Sequence, residues 1–412
     1  MAKKKLRVLM LSWEYPPHIV GGLGAHVAAL APALVGAGVD VHLVTPRWKG
    51  GTEQEPIVVE KARARKNLPS VYRVNPPMME MGNFFAEAQQ TNLAIQAQAE
   101  RLQEHVGRFD LIHAHDWLAA FAAIGLKKAH KIPMVATIHA TERGRGRGSL
   151  GGETAQAING VEWWLTYEAW RVIACSQFML TEVRDYFATP MDKIDVVPNG
   201  VDASPFDELN DADLREFRRR WASPQEKIVF NVGRVVHEKG AHLMVEAAPR
   251  VLAQLPNTRF VIAGTGSMVE PLKQRARELG VGERVSIAGF VSDPDRNRLL
   301  KVADAAIFPS LYEPFGIVAL EAMAAKCPVI VSQVGGLQEV VKHDVTGITI
   351  YPDNVESTAW GILRALNDPK AARTRAAKAY RLVKREYNWE RIAERTMDIY
   401  ERVVSARKKS GW

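Results

Sequence analysis

Along this chain, short runs of apolar and largely β-branched residues alternate with longer stretches whose apolar positions recur every three or four residues. Runs of the first kind suit strands buried on both faces, and stretches of the second kind suit helices with one apolar side. The runs predict strands at Arg7–Ser12, Asp40–Thr45, Asp110–His115, Met134–His139, Arg171–Ser176 and Lys193–Val197. Helical patterns between them include Ala25–Val35 and a long polar one at Ala86–Val106. The cycle then restarts with Lys227–Val232, Arg259–Ala263, Arg284–Ala288, Ala305–Pro309 and Val329–Ser332. Alternation of this kind predicts an α/β fold class, with two Rossmann-like, doubly wound domains built on parallel sheets. No close repeat links the two halves.

The join falls at Pro198-Asn199-Gly200-Val201-Asp202, where turn-forming residues follow a strand and precede an acidic helix expected over Asp207–Arg220. This gives domains 1–198 and 199–388, and a length of 412 residues agrees with two cores rather than one. Open α/β sheets bind ligands beyond the carboxyl ends of their strands. Two such domains are expected to face a central cleft walled by strand-end loops, and those loops carry the functional argument.

Composition narrows the class. Apolar residues make up 47% and charged residues 24%, which excludes disorder, collagen and coiled coil. No apolar stretch approaches the ~20 residues of a membrane-spanning helix. The basic start at Met1–Lys5 precedes only a short apolar run without a small-residue cleavage site, so a cytoplasmic location is expected. Cys175 and Cys327 are too few for a disulfide framework and are expected as packed thiols. The net charge of +8 favours anionic partners. Its basic runs, Lys3-Lys4-Lys5, Arg143 to Arg147 and Arg407-Lys408-Lys409, lack the interleaved aromatics of a nucleic-acid platform. They are expected as solvated surface, with Arg143–Gly148 a mobile loop, and nucleic acid is not an expected partner.

The candidate chemistry sits at strand ends. Gly21-Gly22-Leu23-Gly24 leads from the first strand into a helix, which suits either a phosphate cradle or a tight turn. Gly233-Arg234 ends a strand of the second domain and Lys239-Gly240 follows before an apolar helix, so a guanidinium fork and an ammonium converge as suits a diphosphate, the other reading being a charged surface turn in which Glu238 pairs with its neighbours. Gly264-Thr265-Gly266-Ser267 and Gly289-Phe290-Val291 are weaker strand-end signals, the latter suited to bracketing a base or to a plain turn. In Pro309 to Ala324, Pro314 is expected to start a helix. Glu313 would then stand in the loop and Glu321 inside the helix, about 7–8 Å along the axis from Gly316 at 1.5 Å per residue. Two carboxylates at different depths, with N–H groups around Phe315, Gly316 and Ile317, fit a nucleotide sugar.

In the first domain, His113-Ala114-His115-Asp116 and Thr137-Ile138-His139 both end strands. A metal reading is rejected there because third and fourth ligands are missing and His113 and His115 share one strand face. Asp116 and His139 are read as polar groups turned toward a sugar. Trp163, Trp164, Tyr167 and Trp170 fall in one expected helix, chiefly as packing.

Taken together, these motifs resemble the retaining glycosyltransferases of family 4, with the GT-B fold, and within them the glycogen/starch synthase-like branch. The resemblance runs from Ser12-Trp13-Glu14-Tyr15-Pro16-Pro17 and the Gly21–Gly24 loop through His113–Trp117, Thr137–Glu142, Gly233–Gly240 and Glu313–Glu321 to Asn388-Trp389. It implies that Arg234 and Lys239 neutralise a donor diphosphate, with Gly21 and Gly22 closing over it. It further implies that Glu321 binds the ribose, that Glu313 contacts the transferred sugar with Phe315 and Gly316 nearby, and that His139 and Asp116 serve the reacting sugar and the acceptor side. The final helix, 389–412, is implied to return to the first domain. The implied reaction moves glucose from ADP-glucose or UDP-glucose to the non-reducing end of an α-1,4-glucan, with retention, no cofactor and no metal. Ile19-Val20-Gly21-Gly22-Leu23 lacks the lysine that larger bacterial synthases carry in this loop. Transfer to a small sugar, a sugar phosphate or a lipid-linked acceptor is the alternative, with peripheral membrane contact not favoured. A non-catalytic nucleotide-sugar binder is the third reading.

Overall fold

The computed structural model describes residues 5–48, 68–76 and 83–412, so Lys3 and Lys4 of the first basic run lie outside the described residues. The chain divides into two compact units: Met1–Asn199 with Trp389–Trp412, and Gly200–Asn388.

The first unit holds a parallel sheet of β1 (Arg7–Leu11), β2 (Asp40–Pro46), β3 (Ser70–Val74), β4 (Leu111–His115), β5 (Met134–Ile138), β6 (Arg171–Ala174) and β7 (Ile194–Val196), in spatial order β3-β2-β1-β4-β5-β6-β7. Val8 of β1 lies between Val41 and Leu111, and Met10 between Leu43 and His113. The second unit repeats the plan with β8 (Lys227–Val232), β9 (Thr258–Ala263), β10 (Val285–Gly289), β11 (Ala305–Phe308), β12 (Val329–Ser332) and β13 (Ile348–Ile350), in order β10-β9-β8-β11-β12-β13. Chain order therefore reverses between β1 and β4 in one sheet and between β8 and β11 in the other. At such a switch the connections leave toward opposite faces and open a crevice at the strands' carboxyl ends.

Each sheet is buried by apolar helix stripes. In the first unit, Val27, Leu30 and Leu34 of the helix Gly22–Gly36 pack in one cluster with Val8, Met10 and Val135 and with Ile392, Ile399, Tyr400 and Val403 of the closing helix Trp389–Lys409. In the second, Met244, Val245, Ala248 and Val251 of the helix Ala241–Gln254 join Val229, Phe260, Ile262, Ile307 and Ile330. Cys175 and Cys327 are buried and not joined in a disulfide. Among the described residues no helix is long and apolar enough to cross a membrane.

Several expectations are corrected. β3 and β13 were not expected. The single acidic helix is two, Ser204–Asp207 and Asp211–Arg219, because the Asn210 side chain accepts from the N–H groups of Ala212 and Asp213 and starts a new helix there. Arg143–Gly148 opens with a helical turn, Glu142–Arg145, capped by Thr141 and with the Arg143 guanidinium over the Tyr186 ring at 5.2 Å. Trp170 lies beyond the end of the helix Gly152–Glu168, and Trp163 and Tyr167 are exposed rather than packed, stacked on each other at 5.4 Å. The helix expected from Pro314 begins at Ile317, since Gly316 takes a left-handed φ of 102° and forms its start.

Candidate active site

In the second unit, the loops after β8 and β11 touch backbone to backbone. Gly240 has φ 72°, and a Cβ there would lie 1.9 Å from the Pro309 carbonyl oxygen. The N–H groups of Leu311 and Tyr312 donate to the Glu238 carbonyl at 2.8 and 3.4 Å. This contact brings Lys239 Nζ to 2.7 Å from Glu313 Oε2, with the lysine side chain 26% and the glutamate 11% exposed. Arg234 is exposed, and its guanidinium meets Glu238 at 3.2 Å. The two cations are thus already paired with carboxylates instead of forming an open positive loop. An exposed pair such as Arg234–Glu238 is worth about 0–1 kcal/mol, so the guanidinium can leave that carboxylate at small cost.

Glu321 stands in the helix Ile317–Ala324, where its Oε1 is 3.4 Å from Arg296 Nη2. Burial raises its pKa, and the arginine opposes that rise. Glu313 and Glu321 therefore answer to different cations. Phe315 and Gly316 are buried, and a Cβ on Gly316 would lie 2.4 Å from Leu337 Cδ2. Ile317 is partly buried, and its N–H belongs to the first turn, which has no partner within its own helix. Gly264 has φ 136°, and a Cβ there would lie 1.8 Å from the Gly233 carbonyl oxygen. Close crossing of the β8 and β9 ends accounts for that glycine without a ligand. Phe290 is 80% exposed and Val291 partly buried.

In the first unit, Gly21 caps the helix Gly22–Gly36 in an extended conformation. The Glu14 carboxylate accepts from the N–H groups of Val20 at 2.8 Å and Gly21 at 3.1 Å. A Cβ on Gly24 would meet the same carboxylate at 2.6 Å. The Gly21 N–H expected to face a phosphate is thus held by a side chain, and the exposed Gly22 is the loop position left to a ligand.

β4 and β5 deliver the histidines. His113 is fully buried, with Nδ1 at 2.6 Å from the Tyr400 hydroxyl and Nε2 at 2.7 Å from Thr137 Oγ1. His115 Nδ1 lies 3.1 Å from His139 Nε2, and the His26 ring meets the His139 ring at 4.7 Å. Burial holds His26, His113 and His115 well below the usual imidazole range and His139 down to about 3, so all four rings are neutral near pH 7. One ring nitrogen from each of His26, His115 and His139 lies within 4.8 Å of the other two. Of these three rings, His115 belongs to the strand motif, His26 to a helix and His139 to the end of the neighbouring strand. His113 is excluded, its two nitrogens being taken.

Asp116 follows β4 with φ 58° and ψ 175°, a conformation that costs a non-glycine residue about 1–3 kcal/mol. Its N–H donates to the Thr137 carbonyl, and its Oδ1 accepts from the His139 N–H at 2.6 Å. Burial pushes the Asp116 carboxyl up to about 6 against the pull of Arg145 and of the His139 and Ala140 N–H groups. The side chain is turned to backbone, not outward to a sugar as expected, and what it sets is the position of His139.

Sequence reasoning missed Glu14, His26, Asn199 and Arg296. Their signals were present but weak: His26 lies just inside the helix that follows the glycine loop, and Asn199 lies in the Pro-Asn-Gly turn.

The family model described as Glycosyltransferase Family 4 matches residues 20–204, and that described as Glycosyl transferases group 1 matches residues 213–383. An uncharacterized glycosyltransferase of Methanocaldococcus jannaschii is 39% identical over 402 residues, covering 96% of this chain and 98% of that protein. A glycogen synthase of Mycobacterium tuberculosis is 37% identical over 408 residues, covering 96% and 94%. Among solved structures, sucrose-phosphate synthase from Thermosynechococcus elongatus superposes with a TM-score of 0.81 at 25% identity, covering 98% of this chain and 100% of that one. With one matched model on each of its doubly wound units, this chain belongs to the family 4 glycosyltransferases of GT-B fold.

Proposed function

We propose that this enzyme is a retaining glucosyltransferase that extends an α-1,4-glucan at its non-reducing end from ADP-glucose or UDP-glucose, without a metal. The observation that carries the reading is the 37% identity to a glycogen synthase over 96% of the chain, together with the Lys239–Glu313 pair at the β8/β11 switch. Arg234 and Lys239 take the donor diphosphate, Glu321 the ribose and Glu313 the transferred glucose. Phe290, Val291, Phe315, Gly316 and Ile317 serve the donor, and Gly22 is the glycine-loop position that serves its phosphates. His139, neutral and held by Asp116, exchanges hydrogen bonds with hydroxyls of the reacting sugar rather than acting as a cation.

In the step itself the acceptor hydroxyl oxygen bonds to the anomeric carbon as the bond from that carbon to the diphosphate oxygen breaks, and the hydroxyl proton passes to the departing diphosphate. Charge growing on the leaving group is met by Arg234 and Lys239. No carboxylate of the site is assigned as a nucleophile.

The test is nucleoside diphosphate release from ADP-glucose and UDP-glucose, with and without maltooligosaccharide or glycogen, in EDTA. Glucan-dependent release with lengthened product supports the reading. Release that no glucan accelerates overturns it and moves the search to small-sugar or sugar-phosphate acceptors, which the likeness to sucrose-phosphate synthase favours.

A further inference from the structure

The cluster of His26, His115 and His139 has a property that sugar binding does not explain. His26 Nδ1 faces Asn199 Oδ1 at 2.6 Å. A carbonyl oxygen only accepts, so Nδ1 carries the proton and the lone pair is on Nε2. That Nε2 is buried without a partner, as is Nε2 of His115, in side chains whose residues are 4% and 0% exposed. A buried polar nitrogen without a partner costs about 1–3 kcal/mol, and this cluster holds two. The arrangement also matches a ligating imidazole, which gives one nitrogen to the metal and donates from the other to a carbonyl that fixes its orientation.

We propose that His26, through Nε2, together with His115 and His139 forms a three-histidine site for a zinc-class divalent transition ion, and that occupancy blocks transfer. Three imidazole nitrogens select zinc, copper or nickel over magnesium or calcium, which seek oxygen ligands. Zinc bonds of about 2.0–2.1 Å in tetrahedral geometry put ligand nitrogens about 3.3 Å apart. One nitrogen from each of the three rings lies within 4.8 Å of the other two, so ring rotations that close at most about 1.5 Å bring the set to that spacing. His139 is the partly exposed member, which gives the ion its approach and leaves the fourth position to water or a sugar hydroxyl. The blocking part of the proposal rests on the role given to His139 above, because a ring bound to metal no longer exchanges hydrogen bonds with the sugar. The site itself does not rest on it.

Binding is read without activity, by competition of the full-length enzyme with a chromophoric zinc indicator, by zinc X-ray absorption, and by the visible bands of bound cobalt(II). We expect one ion per chain with a micromolar or tighter Kd, a first shell dominated by imidazole nitrogen, tetrahedral cobalt bands, and no displacement by millimolar magnesium. His26→Gln and His115→Gln should each weaken zinc at least about 10–100-fold. In parallel, zinc should inhibit donor turnover, EDTA should restore it, and His26→Gln should remain active but resist inhibition. A Kd above 1 mM, or an affinity unchanged in both variants, overturns the site. Tight histidine-dependent binding with no effect on turnover keeps the site and overturns the role of His139. Should one glutamine variant fail to fold, the other variant and the absorption spectrum of the unsubstituted enzyme still decide.

Discussion

Gly240→Ala tests whether the contact between the β8 and β11 loops builds the Lys239–Glu313 pair. Gly240 has φ 72° and Gly280 has φ 70°, but a Cβ at Gly280 meets nothing within 4 Å, whereas at Gly240 it would lie 1.9 Å from the Pro309 oxygen and 2.7 Å from the Pro309 carbonyl carbon. Both alanines bear the left-handed cost of about 1–2 kcal/mol. Only Gly240→Ala adds overpacking, about 1–3 kcal/mol. The loops must then part by about 1.5 Å to reach ordinary contact, which strains the two hydrogen bonds to Glu238 at about 0.5–1.5 kcal/mol each. The expected difference between the variants is about 3 kcal/mol, or about 6–12 °C in Tm for a unit of this size. Thermal unfolding of the two full-length variants measures it. Calorimetric titration with ADP or UDP should also show weakened binding in Gly240→Ala and unchanged binding in Gly280→Ala. Equal Tm losses, within about 1 °C, would refute the argument, since they would leave backbone conformation as the whole effect.

Glu162 is buried, accepts from the Glu142 N–H, and has its carboxyl pushed up to about 8 by burial. Its folded pKa is above the unfolded one, so it contributes least favourably at high pH, and stability is lost as pH rises from about 4.5 to 8. Glu162→Gln should therefore gain on the unsubstituted enzyme across that window, by up to a few kcal/mol, and a constant difference in denaturation midpoint from pH 5 to pH 8 would contradict it. Tyr400→Phe leaves His113 Nδ1 buried and unpaired, and is expected to cost about 1–3 kcal/mol by chemical denaturation. Glu313→Ala should lower kcat more than donor affinity, while Arg234→Ala lowers both, because the diphosphate carries charge before and after the bond breaks. Steady-state kinetics with small, equal effects from both would remove these roles.

The alternation of apolar runs made nearly every strand legible, because a strand buried on both faces admits few polar residues. β3 escaped because Ser70 and Arg73 break its apolar run at the sheet edge, and β13 escaped although it is no shorter than β7, which the apolar runs did show. Site residues were legible where a local turn announced them, as at Gly240 and Glu313. Their partners were not. Lys239 with Glu313, His26 with Asn199 and His113 with Tyr400 join residues 74, 173 and 287 positions apart. Nothing in the residues themselves specifies such pairings, which exist only once two doubly wound sheets have brought strand ends together. Charge was legible in sum and partly in disposition: Glu238 stood in the sequence as a pairing partner in this loop and meets Arg234, whereas the pairing of Lys239 with Glu313 was not foreseen.

The return of the chain to its first unit has a consequence for biosynthesis. The helix Trp389–Lys409 supplies Tyr400 to His113 and an apolar stripe to the helix Gly22–Gly36, yet it emerges from the ribosome only after the whole of Gly200–Asn388. At about 5–20 residues per second, that delay lasts about 10–40 s. Throughout it the nascent first unit holds an uncovered apolar face and an unpaired buried-type histidine, while the inserted unit already has every strand and helix of its own core. Translation speed across that insertion, and the chaperones present while it lasts, therefore set how much of the newly made chain reaches its finished form.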